Sequence, residues 1–95
     1  MFVVFLKFSA NKDRAGAFMD AHNSWLRRGF DAGVFVLAGS LQPRLGGGIL
    51  AHSVSREALE ARVAEDPFVA EGIVSAEIVE LAPAKADPRL DFLVA

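Results

Sequence analysis

The run Phe2-Val3-Val4-Phe5-Leu6-Lys7-Phe8 has almost no polar face, and any fold for this chain must accommodate that. β-Branched and aromatic residues followed closely by polar ones read as a strand. Alternation sends Phe2, Val4, Leu6 and Phe8 to one side of a sheet and Val3, Phe5 and Lys7 to the other. Helices packed on the first side would leave a largely apolar second side in water, so something has to cover it.

The rest of the chain supplies the helices. Asn11 or Asp13 can cap a first helix that runs to about Ala32, and Gly33 is placed to end it. Val34 to Leu41 reads as a second strand, again apolar on both faces. Gln42 to Gly48 reads as a turn region and Ile49 to Val54 as a third strand. Ser55 caps a second helix, with Leu59 and Val63 inward and Arg56, Glu57, Glu60 and Glu65 mostly outward. That helix stops at Asp66, because a residue before proline is pushed out of the helical region. Pro67 to Glu71 makes one further turn, capped by Asp66 and left through Gly72. Val74 to Leu81 is the fourth strand.

The order strand, helix, strand, strand, helix, strand predicts a ferredoxin-like α+β fold. Its sheet is four-stranded and antiparallel, with two helices on one face. A single domain spans residues 1–95, with a core over 2–82 and a tail over 83–95 whose apolar end, Phe92-Leu93-Val94, can pack on the body or on a partner.

Composition narrows the function classes. Apolar residues make up 53% of the chain, enough for a core, and its small size favours self-association. A net charge of −2 argues against a nucleic-acid partner, and Arg27-Arg28 reads as a solvated helix edge. The absence of cysteine excludes thiol catalysis and thiolate metal sites, and fits the cytoplasm. No metal site is expected from two histidines placed at opposite ends of the domain. The N-terminal apolar run is too short to span a bilayer, so no membrane partner is expected. No dinucleotide fingerprint, P-loop or nucleophile elbow appears, and no cofactor is expected.

One residue breaks the pattern. Phe18, His22, Trp25, Leu26, Gly29 and Phe30 share the apolar stripe of the first helix, and His22 is ionisable. Right-handed crossovers place His22, Ser40, Gly46 to Gly48 and Asp66 at one end of the domain, and His52 toward the other. Imidazole exchanges protons near neutral pH, and a carboxylate on one ring nitrogen would orient the other toward a substrate. His22 with Asp66 fits that arrangement; a core histidine satisfied by a backbone carbonyl is the competing reading. Asp66 is also an expected N-cap, and a carboxylate can serve both roles. Ser40 can donate to an oxyanion or satisfy backbone at a strand end. Gly47 and its neighbours can admit a ligand to the backbone or simply form a turn. Arg44 can neutralise a carboxylate substrate or stay solvated. Trp25 can line a pocket, although its spacing is more simply that of core.

The segments His22-Asn23-Ser24-Trp25-Leu26, Gly33 with Val36-Leu37-Ala38-Gly39-Ser40, Ser55-Arg56-Glu57-Ala58-Leu59-Glu60-Ala61, and Asp66-Pro67-Phe68-Val69 with Gly72 together resemble the YCII-related (YciI-like) family. The likeness runs from about Phe2 to Leu81. It implies a dimeric α+β barrel, a homodimer in which two sheets pack face to face and cover the second apolar side. It also implies a pocket with a catalytic histidine–aspartate pair, carried over onto His22 and Asp66. Ser40 matches a pocket-lining position at which members often carry proline. Members with an assigned activity act on small organic acids, including chloride elimination from ring-cleavage products.

Two functional expectations follow. The first is a cofactor-independent enzyme of lyase or isomerase type, acting on a small anionic or carbonyl-bearing substrate with His22 as acid/base and Asp66 orienting it. The alternative is a non-catalytic dimeric module that binds a small ligand or another protein. A cofactor-independent oxygenase is a further possibility by analogy with related barrels.

Overall fold

The computed structural model describes residues 1–94. Strands β1 (Phe2–Phe8), β2 (Phe35–Leu41), β3 (Gly46–Ala51) and β4 (Val74–Glu80) and helices α1 (Ala15–Asp31), α2 (Arg56–Ala64) and α3 (Pro67–Ala70) follow one another in the order β1-α1-β2-β3-α2-α3-β4. The sheet order is β2-β3-β1-β4 and every pairing is antiparallel, which is the expected ferredoxin-like α+β fold.

The core lies between the sheet and the helices. Phe2, Val4 and Leu6 of β1 are buried on the helix side, together with Ile49 and Ala51 of β3. Leu59 and Val63 of α2, Trp25 of α1 and Phe68 of α3 close over them. Removing apolar side chains of this size from water stabilises the fold by roughly 1.5–3 kcal/mol each. Phe30, on the expected buried stripe of α1, is instead 42% exposed and meets the Phe35 ring edge-on.

Local caps set the ends of most elements. Gly33, at a φ of 74°, ends α1 in the left-handed region. Ser55 Oγ accepts from the Ala58 amide at 3.1 Å and starts α2. Asp66 caps α3, and Gly72, at a φ of 69°, leads out of that corner.

Two boundaries differ from expectation. Neither Asn11 nor Asp13 caps α1, which follows a 3-10 turn over Lys12–Arg14. Asn11 donates its side-chain amide to the Gly72 carbonyl at 3.2 Å instead, and Ser9 Oγ donates to the same oxygen at 2.6 Å. The second correction concerns the glycines. Gly46, Gly47 and Gly48 are not a turn; they form the first half of β3, opposite Lys7, Leu6 and Phe5. The third strand therefore begins at Gly46 rather than Ile49 and ends at Ala51. At Gly46 the φ is 135° and an added Cβ would collide with the Leu6 carbonyl oxygen, so the two backbones approach where only glycine fits.

The far side of the sheet carries Val3, Phe5, Leu37, Leu41, Leu50 and Val79, as the strand registers dictate. Leu37 is 60% exposed and Val79 44% in the single chain. Beyond β4, Asp87 caps a 3-10 segment over Pro88–Leu93, and the Phe92 ring meets His52 with centroids 5.4 Å apart. The last residue of the expected tail, Ala95, lies outside the described residues.

Candidate active site

α1 carries His22 past the corner between α2 and α3, where Asp66 waits. Asp66 precedes Pro67, so its backbone is extended and its side chain turns back over the first amides of α3. Oδ1 accepts from the Phe68 amide at 3.0 Å and lies 2.7 Å from His22 Nδ1. A carboxylate at Asp66 only accepts, and such a partner takes its hydrogen bond from Nδ1–H and leaves Nε2 for other work. The Asp66 side chain is fully buried and that of His22 is 12% exposed. Asp66 Oδ2 is also buried and has no hydrogen-bond partner among the described residues.

The same short corner grips the ring from a second direction. Phe68 lies stacked on His22, with centroids 4.1 Å apart and ring planes 4° from parallel. The hydrogen bond fixes the ring's rotation and the stacked plate fixes its height. Both constraints come from neighbouring residues of one turn, which is how a two-sided grip arises from a local sequence.

His22 lines a cavity of about 290 Å³ between α1 and the sheet. Ser40, Gly46, Gly47 and Gly48 reach it from β2 and β3, and Asn23 from α1. Met19, Leu26, Phe8 and Ile49 make much of the remaining wall apolar. Ser40 and Gly47 face each other across the β2–β3 pairing, on the helix side of the sheet. The topology thus brings His22, Ser40 and Gly47 into one cavity, with Asp66 hidden behind His22.

Two expected residues fall elsewhere. Trp25 does not line the cavity. It is 1% exposed, donates Nε1–H to the Arg62 carbonyl at 2.9 Å, and packs edge-on to Phe35. Its bulk is needed in the core and its one donor is satisfied there. Arg44 is also absent from this cavity and lines an adjoining cleft. Asn23 was not anticipated. Asn23 lies beside the stripe of His22, between Met19 and Leu26 at helical spacing, and its place next to cavity-lining neighbours is the signal available in the sequence.

An imidazole with one nitrogen tied to a buried carboxylate and the other without a partner among the described residues, in a mostly apolar cavity with a hydroxyl and an amide, is the kind of arrangement that general acid/base chemistry uses. Among the described residues, no cluster of three or more His, Cys, Asp or Glu side chains could hold a metal ion. No helix among them is long and apolar enough to cross a membrane.

A family model described as the YCII-related domain matches residues 1–82. Among solved structures, the chain superimposes on 5-chloro-2-hydroxyhydroquinone dehydrochlorinase from Burkholderia phenoliruptrix AC1100, in complex with 2,5-dihydroxybenzoquinone. The TM-score is 0.72 and the identity 14%, over 84% of this chain and 91% of the other. At that identity the likeness speaks for the fold. No curated protein sequence matches the chain.

Proposed function

The chain belongs to the YCII-related domain family, and from that premise we propose that it is a small acid/base enzyme of lyase or isomerase type. The observation that carries this reading is the 2.7 Å contact between His22 Nδ1 and Asp66 at the wall of the cavity. Nε2 of His22 takes a proton from carbon next to a carbonyl. The electron pair moves to the carbonyl oxygen, which accepts from the Ser40 hydroxyl. Asp66 holds the tautomer and stabilises the imidazolium that forms. The proton then returns at another carbon, or a leaving group departs from the adjacent one.

Two further points support the reading. The structural neighbour is a dehydrochlorinase complexed with an oxygenated six-membered ring, which belongs to the substrate class this chemistry needs. The uncovered apolar sheet face suits a homodimer in which two sheets pack together, burying Leu37, Val79 and their neighbours.

The test is chloride release from 5-chloro-2-hydroxyhydroquinone, alongside solvent-deuterium exchange into small keto acids. His22→Gln, whose side-chain amide can still donate to Asp66, should stay folded while losing whichever activity the wild type shows. Full activity in that variant ends the reading and leaves the non-catalytic binding module.

A further inference from the structure

We propose that a second, cationic compartment adjoins the His22 cavity, in which Lys12 and Arg44 bind a carboxylate of the substrate. This rests on the acid/base reading of the cavity and specifies its ligand: an organic monoanion whose charged group stands apart from its reacting end.

The two spaces are contiguous. A cleft of about 470 Å³ is lined by Lys12, Asp13, Gln42 and Arg44, and it shares Phe8, Ser40 and Gly46 with the His22 cavity. A ligand can therefore reach past Ser40 with one end in each space. The polarity differs between them. The inner cavity offers His22, Asn23 and Ser40 among apolar walls; the outer cleft adds two formal cations.

Those cations are uncommitted. Arg14, Arg56 and Arg89 each pair with a carboxylate, whereas Lys12 and Arg44 make no ion pair among the described residues. Asp13 lines the same cleft without pairing to either of them. The cleft thus holds two positive groups and one negative group. That balance favours one carboxylate and disfavours a dianion.

Arg44 is also held where an arginine is unexpected. Its φ of 53° lies in the left-handed region, where glycine or asparagine is usual. The turn around it is fixed on both sides: the Leu45 amide donates to the Leu41 carbonyl, and the Leu45 carbonyl accepts from the Phe8 amide, both at 2.9 Å. A strained backbone that persists in a well-bonded turn points to a use for its side chain. Arginine's planar fork matches a carboxylate, and Lys12 adds a point charge from the other bank.

The experiment is a nuclear magnetic resonance titration of the full chain with benzoate and with its neutral counterpart benzamide. Benzoate should bind about tenfold tighter or more, with shifts at the amides of Ser40 and Gly46. Lys12→Gln and Arg44→Gln should each weaken benzoate and together abolish its advantage over benzamide. Asp13→Asn should strengthen benzoate. Arg44→Gly should melt no lower than the wild type, since glycine tolerates that φ, yet still lose benzoate affinity. Equal affinity for the two probes, or an advantage that survives in the double variant, overturns the proposal. His22→Gln should leave the preference intact, so failure of the acid/base reading is seen separately from failure of this one.

Discussion

Asp66 Oδ1 is shared: it lies 2.7 Å from Nδ1 of His22 and 3.0 Å from the Phe68 amide that starts α3. One oxygen therefore serves both a helix cap and a histidine, while its sister Oδ2 is buried without a partner among the described residues. His22 is accordingly the main compensation for a fully buried carboxylate.

Removing His22 should destabilise the fold as well as the chemistry. His22→Ala strands the Asp66 charge and should cost about 3 kcal/mol. Adding Asp66→Asn to that variant should recover a substantial part, because a neutral amide is cheaper to bury. Chemical denaturation of the singles and the double gives the coupling energy. Strictly additive losses would show that the two side chains do not act as a pair.

Charge and shape at Asp66 can be separated. Asn offers an acceptor oxygen in the same place, so Asp66→Asn should keep the α3 cap and the fold. Turnover should nevertheless fall by about 10²–10⁴, since the carboxylate no longer stabilises the imidazolium. Asp66→Ala should lose the cap as well, at about 1 kcal/mol. Steady-state rates beside melting curves distinguish the two variants.

Neighbouring glycines should respond in opposite ways. Gly46→Ala drives a methyl group into the Leu6 carbonyl at a φ of 135° and should destabilise by at least about 2 kcal/mol. At Gly47 an added Cβ meets only the Gly39 carbonyl, at an ordinary 3.5 Å. Gly47→Ala should fold normally, and its methyl group, on the cavity side of the sheet, should reduce ligand affinity or turnover.

The proposed dimer depends on the far side of the sheet. Leu37 is 60% exposed there and pairs across with Leu50. Leu37→Glu should leave a folded species that sediments near the chain mass of 10.2 kDa, while the wild type sediments near twice that. A wild type at the monomer mass would remove the dimer from the account.

One acid-sensitive element sits outside the site. The Arg89 guanidinium, and then its backbone amide, hold the Asp87 carboxyl below its ordinary range. A carboxyl depressed on folding contributes above its unfolded value, and loses that contribution as pH falls through the folded one. Asp87 is exposed, so the effect should be confined to the 3-10 segment it caps. The Phe92–His52 contact should loosen as pH falls below the ordinary carboxylate range, as side-chain resonances would report. Asp87→Asn should loosen it at neutral pH with no change in the melting of the sheet.

Local chemistry explains what could be read from the chain alone. β1 announces itself through a short β-branched and aromatic run that stops at polar residues, and Ser55, Gly33 and Asp66 mark boundaries with side chains or φ angles that act within a few residues. What escaped depends on distant partners. Asn11 looks like a cap until Gly72, far along the chain, arrives as its acceptor. The glycine run looks like a turn because its strand character comes from the backbones of β1 and β2, not from its own side chains. Topology placed His22, Ser40 and Gly47 at one end and helical spacing favoured core for Trp25, but neither could say that Lys12 shares a cleft with Arg44.

Trp25 is excluded from the cavity, but it is the chain's only tryptophan and its ring centroid lies 5.8 Å from that of His22. Protonated imidazole quenches indole emission at such range. The protein therefore carries an optical probe of its own histidine, buried against solvent and needing no label. Its fluorescence makes proton arrival at His22 observable in real time, with or without a known substrate.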